Sequence, residues 1–290
     1  MQGLFLETLT RTRYTKRWYE QRPMFEDNVA THSFRVAMFS LIVAELESEK
    51  FKKEVDLEQV LCGAIFHDMN EVLTSTIKHG TKKNEAVAKL VELLEIEKNK
   101  EMISWLPEEM QVKFKKYLLE AENTETIEGT IVDEMDTFDA MLFCYREIIE
   151  GSNTPFFQIT FDQLKKKMKN TKLESVKMLL TAVDLQNDLF HFVYKIMNFQ
   201  SIDRWMGRKN NVVDNDAIHT MNATALGIYF SVYENIKKEN KIDIGRMAAK
   251  IICHDVPEIE TGDIRGPVKH STKELKEAFA KIEEDEADIG

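Results

Sequence analysis

Two His-Asp dipeptides, His67-Asp68 and His254-Asp255, stand in the same frame of polar residues. Each has a histidine 35 residues upstream, His32 and His219, and an Arg-Trp pair 15 residues before that histidine, Arg17-Trp18 and Arg204-Trp205. Each is followed three residues later by a glutamate, Glu71 and Glu258. Every equivalent pair is separated by 187 positions without a gap, so the chain carries an internal duplication of a polar constellation. Imidazole nitrogens and a carboxylate are the donors that hold catalytic divalent metals. A single inward-facing histidine reads most simply as a hydrogen-bonded core residue, but two histidines and an aspartate duplicated at fixed spacing read as a ligand set.

A mononuclear site calls for a fourth protein ligand, and the helical stretch 126–150 offers Asp133, Asp136 and Asp139. Asp136 falls in the row Val132, Asp136, Ala140, Phe143, where an apolar residue belongs, and a carboxylate there is costly unless it binds something. Asp133 suits a solvated face. His32, His67, Asp68 and Asp136 are therefore expected to converge. Nitrogen and oxygen donors without thiolate suit Mn²⁺, Co²⁺, Fe²⁺, Ni²⁺, Zn²⁺ or Mg²⁺, and the sequence does not choose among them. Such an ion acidifies water and polarises a phosphoryl oxygen. Glu71, surplus to the ligands, is placed for proton transfer. Arg17 offers phosphate a fork of donors. Trp18 walls a sugar or base, or is simply a core aromatic.

These side chains must be positioned by helices, since nearly every long segment repeats its apolar residues with a period near 3.6. The expected helices are 31–48 with Thr31 as N-cap, 56–70 with His67 and Asp68 at its end and Glu71 continuing the same helical face, 83–96, 107–122, 126–150 and 171–200. In the repeat, 217–238 and 243–256 match the first two, and a charged helix closes the chain. The stretch 155–164 has some strand character but is equally a connector or helix. Only 11 glycines and 5 prolines in 290 residues, with 43% hydrophobic content, favour an all-α fold with real cores. A formal net charge of −11 argues against a nucleic-acid polymer as partner. The isolated Cys62, Cys144 and Cys253 read as reduced core residues of a cytoplasmic protein. No run of 18 apolar residues and no signal-peptide layout appear, so no membrane partner is expected; homo-oligomerisation stays open.

At these residues the chain resembles the HD-domain metal-dependent phosphohydrolases, most closely the bacterial 5′-deoxynucleotidases among them. The likeness runs from Arg17-Trp18 through His32-Ser33 and His67-Asp68-x-x-Glu71-Val-Leu-Thr74 to Val132–Asn153, where Asp136, Ala140, Cys144 and Gly151-Ser152-Asn153 look like that family's last ligand helix. The resemblance implies a duplicated all-α HD-domain bundle. It also implies a His/His-Asp/Asp metal site, an arginine and a tryptophan at the substrate, and phosphate release from deoxyribonucleoside monophosphates. The tryptophan position is associated with rejecting a 2′-hydroxyl. The family loop after the glutamate reads Thr-Gly-Asp, followed by Pro-Val-Lys. The second unit keeps it as Thr261-Gly262-Asp263 and Pro267-Val268-Lys269, whereas the first has Thr74-Ser75-Thr76.

The first unit, residues 1–170, thus carries the full ligand set. The connecting helix and second unit, residues 171–290, carry His219, His254 and Asp255 with Arg204, Trp205, Glu258 and Asp263. The position 187 residues beyond Asp136 lies past Gly290, so truncation, degeneration or a partner chain would account for the missing ligand. A nucleoside triphosphate or alarmone hydrolase with the same site, or a nucleotide-sensing module without turnover, are the competing readings.

Overall fold

The helices that carry the histidines and those that precede the His-Asp pairs start on side-chain caps, and these caps repeat between the two units. The computed structural model describes residues 2–76, 85–205, 211–212, 214–238, 241–262, 264, 268 and 271–287. Strand β1 (Lys16–Arg17) pairs antiparallel with β2 (Asp27–Asn28), in the register Lys16↔Asn28 and Arg17↔Asp27. The bridge Asp203↔Asn215 is the same pairing 187 residues later. Asn28 then caps α2 (Val29–Glu45): its side chain accepts from Thr31 N at 3.0 Å while Thr31 Oγ1 accepts from Asn28 N at 3.3 Å. Thr31, expected as the cap, is instead the third helical residue that closes a capping box. Asn215 caps α11 (Asp216–Lys237) by accepting from Ile218 N, the first half of that arrangement.

Asp56 caps α3 (Leu57–Phe66), and its equivalent Asp243 caps α12 (Ile244–Cys253). The sequence expectation that His67, Asp68 and Glu71 share one helix is corrected here. Helix α3 ends at Phe66, residues 67–70 form a turn, and α4 (Glu71–Thr74) starts a new short helix. The backbone bonds tighten to three-residue steps, Met69 N to Phe66 O and Glu71 N to Asp68 O. The counterpart of α4 is α13 (Glu258–Thr261).

The remaining helices are α1 (Gln2–Arg11), α5 (Glu85–Ser104), α6 (Glu108–Leu119), α7 (Ile127–Ile149), α8 (Pro155–Met168), α9 (Glu174–Leu185), α10 (Asp188–Ile196) and α14 (Lys273–Ala287). Helix α8 covers the stretch with strand-like composition, with Pro155 in its first turn. The single helix expected over 171–200 is broken at Gln186, which adopts φ 51°, after which Asn187 caps α10 and a 3₁₀ turn follows at Met197–Ser201.

Helices α2, α3 and α7 pack on one another in the middle of the first unit. The stretch Val29–Lys50 is apolar and long enough to cross a membrane, yet 78% of its most apolar window is buried in the fold, as a central core helix is. The second unit lies directly on this core, α11 against α2 and α12 against α3. A Cβ on Gly245 would come 2.8 Å from Glu58 N, and Glu58 is the residue 187 positions earlier. Equivalent residues of the two units therefore meet, as they do across a two-fold axis. Phe5, Phe114 and Tyr229 close the same interface, with ring centroids 5.2 to 6.3 Å apart. Cys62 and Cys144 are buried as expected, but Cys253 is exposed. Its equivalent, Phe66, lies under Phe5 and Phe114, and no such cover stands over Cys253 among the described residues.

Candidate metal centre

His32 comes from the first turn of α2, His67 and Asp68 from the turn after α3, and Asp136 from the middle of α7. One ligand atom from each lies within 4.8 Å of all the others. The orientation of the rings matters more than their proximity. His32 Nδ1 faces Asp139 Oδ2 at 2.7 Å, and His67 Nδ1 faces the Ala64 carbonyl at 2.8 Å. With both Nδ1–H groups so engaged, the two Nε2 atoms turn inward and stand 3.2 Å apart. His32 Nε2 is 3.1 Å from Asp136 Oδ1 and 3.4 Å from Asp68 Oδ2. Donors that bind one ion at about 2.0–2.2 Å lie roughly 3 Å from each other, so these spacings suit a shared divalent cation. Burial and Arg17 oppose protonation of His32, but Asp136, Asp139 and Asp68 hold its pKa well above the ordinary histidine range. The pocket thus draws positive charge to Nε2, where a proton and a metal ion compete for the same lone pair.

Behind these four side chains runs a buried charge chain that spacing in the sequence does not single out. Arg35, one turn after His32 and 1% exposed, donates through Nε to Asp139 Oδ1 at 2.5 Å and through Nη2 to Asp139 Oδ2 and Asp27 Oδ1, each at 3.0 Å. Asp139, one of three aspartates on its helix, is thereby the group that orients the His32 ring. Burial pushes its carboxyl up, but Arg35 and His32 prevail and hold it below the usual carboxylate range. A charged residue inside an otherwise apolar helix was the available signal for Arg35, since a buried guanidinium requires carboxylate partners.

Arg17 donates through Nη1 to Asp68 Oδ2 at 2.8 Å, with its Nε 3.6 Å from Asp27 and its Nη2 4.0 Å from Asp136. It therefore sits against the Asp68 and Asp136 carboxylates with donor capacity left over. Glu71 is buried beside them. Burial first, and Asp68 second, push its carboxyl up to about 7, where a group exchanges protons readily near neutrality. Thr76 Oγ1 lies 3.1 Å from Glu71 Oε2 and 3.2 Å from the Lys16 carbonyl, so the residue replacing the family's loop aspartate can hydrogen-bond the candidate acid. Trp18 adopts φ 57° and stacks on Phe143 at 5.5 Å with planes 6° apart, edged by Phe156 and Phe157. Trp205 repeats the left-handed backbone with φ 64°, but its ring is exposed and donates to Asp214 at 3.2 Å.

In the second unit His219, His254 and Asp255 repeat the cluster, with ring centroids 5.5 Å apart against 5.1 Å in the first. His254 Nδ1 again faces a carbonyl, that of Ile251, and its Nε2 stands 3.1 Å from Asp255 Oδ2. Arg204 approaches Asp255 at 3.4 Å. The copies differ in their surroundings. No helix corresponding to α7 brings a carboxylate to this cluster among the described residues, and both imidazoles are more than a third exposed. Asp216, where the first unit has Val29, is buried against Arg204 at 3.0 Å and groups with Asp255 and Glu258. Asp263, Pro267 and Lys269 lie outside the described residues.

The sequence matches the family described as 5′-deoxynucleotidase YfbR-like over residues 4–184 and again over 191–289. The chain belongs to that family. It is 31% identical to a 5′-deoxynucleotidase of Vibrio vulnificus over 150 residues, which are 51% of this chain and 77% of that protein. It is 32% identical to a 5′-deoxynucleotidase of Cronobacter sakazakii over 153 residues, 52% of this chain and 76% of that one. In structure it resembles an HD-domain phosphohydrolase of Listeria innocua with a TM-score of 0.54 at 21% identity, covering 65% of this chain and 92% of that one. This likeness places the fold among the all-helical HD domains.

Proposed function

We propose that the first unit is a metal-dependent phosphohydrolase that releases phosphate from deoxyribonucleoside 5′-monophosphates. The observation that carries this reading is the convergence of His32, His67, Asp68 and Asp136 with both Nε2 lone pairs turned to one point. His32, His67, Asp68 and Asp136 would hold the cation, which when bound supplies Lewis acidity at a phosphoryl group. Arg17 receives phosphate oxygens through the donors it does not spend on Asp68. Glu71 takes a proton from the attacking water; the water oxygen bonds phosphorus, the P–O ester bond breaks, and a proton is returned to the departing 5′-oxygen of the sugar. Trp18, fixed by Phe143, Phe156 and Phe157, is a rigid wall for the deoxyribose. In the second unit His219, His254 and Asp255 hold a cation less completely, with Arg204, Trp205 and Glu258 around it, and turn over more slowly; the role expected of Asp263 from the sequence falls on a residue outside those described. Residues 1–170 and 171–290 are the two working units of this reading.

The test is a panel of deoxyribo- and ribonucleoside mono- and triphosphates with Mn²⁺, Co²⁺ and Mg²⁺, read by product identity. Orthophosphate from deoxyribonucleoside monophosphates, in preference to their ribose counterparts, is the expected result. Release of pyrophosphate or tripolyphosphate, or no turnover with any metal, refutes it.

A further inference from the structure

Arg35 is completely enclosed, and three of its hydrogen bonds go to Asp139 and Asp27 within the first unit. The fourth does not. Its Nη1 donates to Gln200 Oε1 at 2.6 Å, and Gln200 lies on the 3₁₀ turn Met197–Ser201 that leads into the second unit. That turn is fastened to the first unit on both sides of Gln200. Arg146 donates to the Met197 carbonyl at 3.0 Å and to Ser201 Oγ at 3.3 Å, and Phe199 packs on Phe34 with centroids 4.8 Å apart. The Gln200 amide also donates to the Glu26 carbonyl at 3.4 Å, beside Asp27.

The repeat gives this contact its meaning. The residue 187 positions before Gln200 is Arg13, and Arg13 crosses in the opposite direction to Asp214, the equivalent of Asp27, at 3.5 Å. Each unit therefore sends the side chain at this position into the other unit's site. The two exchanges are no longer alike. The equivalent of Arg35 is Asn222, whose side-chain oxygen is buried without a hydrogen-bond partner, so at this position the first site has a buried guanidinium to be completed and the second has none.

We propose that Gln200 is a positioning residue of the first site, acting through Arg35 and Asp139 on the His32 ring. A guanidinium that loses its Nη1 acceptor in a dry pocket must shift toward another oxygen, and Asp139, which it grips with two bonds, shifts with it. Asp139 sets the direction of His32 Nε2, and outer partners of metal-ligating histidines typically change metal affinity by 10–100-fold. The segment entering the second unit is on this account part of the first unit's metal site.

The inference rests on the reading of His32 as a metal ligand, and the experiment separates the two. Mn²⁺ alone is titrated into the full chain and counted by electron paramagnetic resonance, without substrate. Asp136→Asn, at a half-exposed ligand, identifies the first-site ion by its loss; if no ion is lost, the metal-site reading itself fails. Gln200→Leu keeps the shape but removes the acceptor, and Gln200→Glu restores an acceptor. The expected result is a first-site Mn²⁺ dissociation constant raised about tenfold in Gln200→Leu and brought back within about threefold of wild type in Gln200→Glu. Circular dichroism at the titration temperature establishes that both are folded. An unchanged constant in folded Gln200→Leu, or equal weakening in both variants, overturns the proposal while leaving the Asp136 result standing.

Discussion

Replacing Ser75 with glycine should stabilise the protein. Ser75 adopts φ 64°, ψ 156°, a region that is essentially glycine's own, and the equivalent residue in the second unit is Gly262 at φ 69°, ψ 169°. Holding a Cβ there costs about 1–3 kcal/mol. Glycine gives back about 0.5–1 kcal/mol of that gain because its unfolded chain has more freedom to lose. The Ser75 side chain is exposed, and the hydrogen bonds at this residue use backbone atoms, Ser75 N to Glu71 O at 2.8 Å and Thr74 Oγ1 to Ser75 O at 3.2 Å. Glycine therefore keeps every contact and removes only strain, for a net gain of about 0.5–2 kcal/mol. In a chain of this size each kcal/mol moves the midpoint by about 2 °C, so Tm should rise by roughly 1–4 °C. Differential scanning calorimetry of the metal-free protein, paired with a urea midpoint, measures this. A midpoint that stays in place or falls would refute the strain argument. Gly262→Ala supplies the mirror test: it should lower the midpoint, and a rise there would count equally against the reasoning.

Asp139→Asn should weaken first-site metal binding by about 10–100-fold in a Mn²⁺ titration, because the amide no longer fixes which His32 nitrogen carries hydrogen; wild-type affinity would remove Asp139 from that role. Glu71→Gln should lower kcat by roughly 10²-fold or more with a much smaller change in KM, and an equal rise in KM would mark it as a binding group instead. His67→Ala should cost at least 10²-fold in phosphate release and His254→Ala less than tenfold; the reverse order would place the chemistry in the second unit. Gly245→Ala should destabilise by about 1–3 kcal/mol, since the new Cβ meets the Glu58 backbone and the helix preference of alanine recovers only about 1 kcal/mol. A neutral urea midpoint would show that α3 and α12 can separate there freely.

Much of this architecture was legible because it rests on local chemistry repeated at one offset. The cluster residues lie on separate segments, and the spacing of Arg-Trp, His, His-Asp and Glu was enough to group them. Asp136 could be read because a carboxylate in an apolar row is conspicuous. The end of α3 could not be read the same way, since His67 leaves the helix through a turn that no proline or glycine announces. Asp139 and Arg35 escaped for a different reason. Arg35 stands out as a charge in an apolar helix, but its partner lies on a helix more than 100 positions away, and nothing in the spacing pairs the two. Asp216 was invisible because it occupies a position where the first copy has valine, so comparing the copies by their shared residues passed over it.

The meeting of equivalent residues at Gly245 and Glu58 has an evolutionary consequence. In a homodimer every substitution is made twice, so a change that suits one site is imposed on both. Joining the copies in one chain lifts that constraint and keeps the partner at high local concentration whatever the abundance of the protein. The chain has used the freedom unevenly: Val29 against Asp216, Arg35 against Asn222 and Thr76 against Asp263 each differ between positions that a symmetric assembly would have kept the same. One half keeps His32, His67, Asp68 and Asp136 together while the other has changed around its own His219, His254 and Asp255, with the packing of α2 on α11 and α3 on α12 preserved as a common frame.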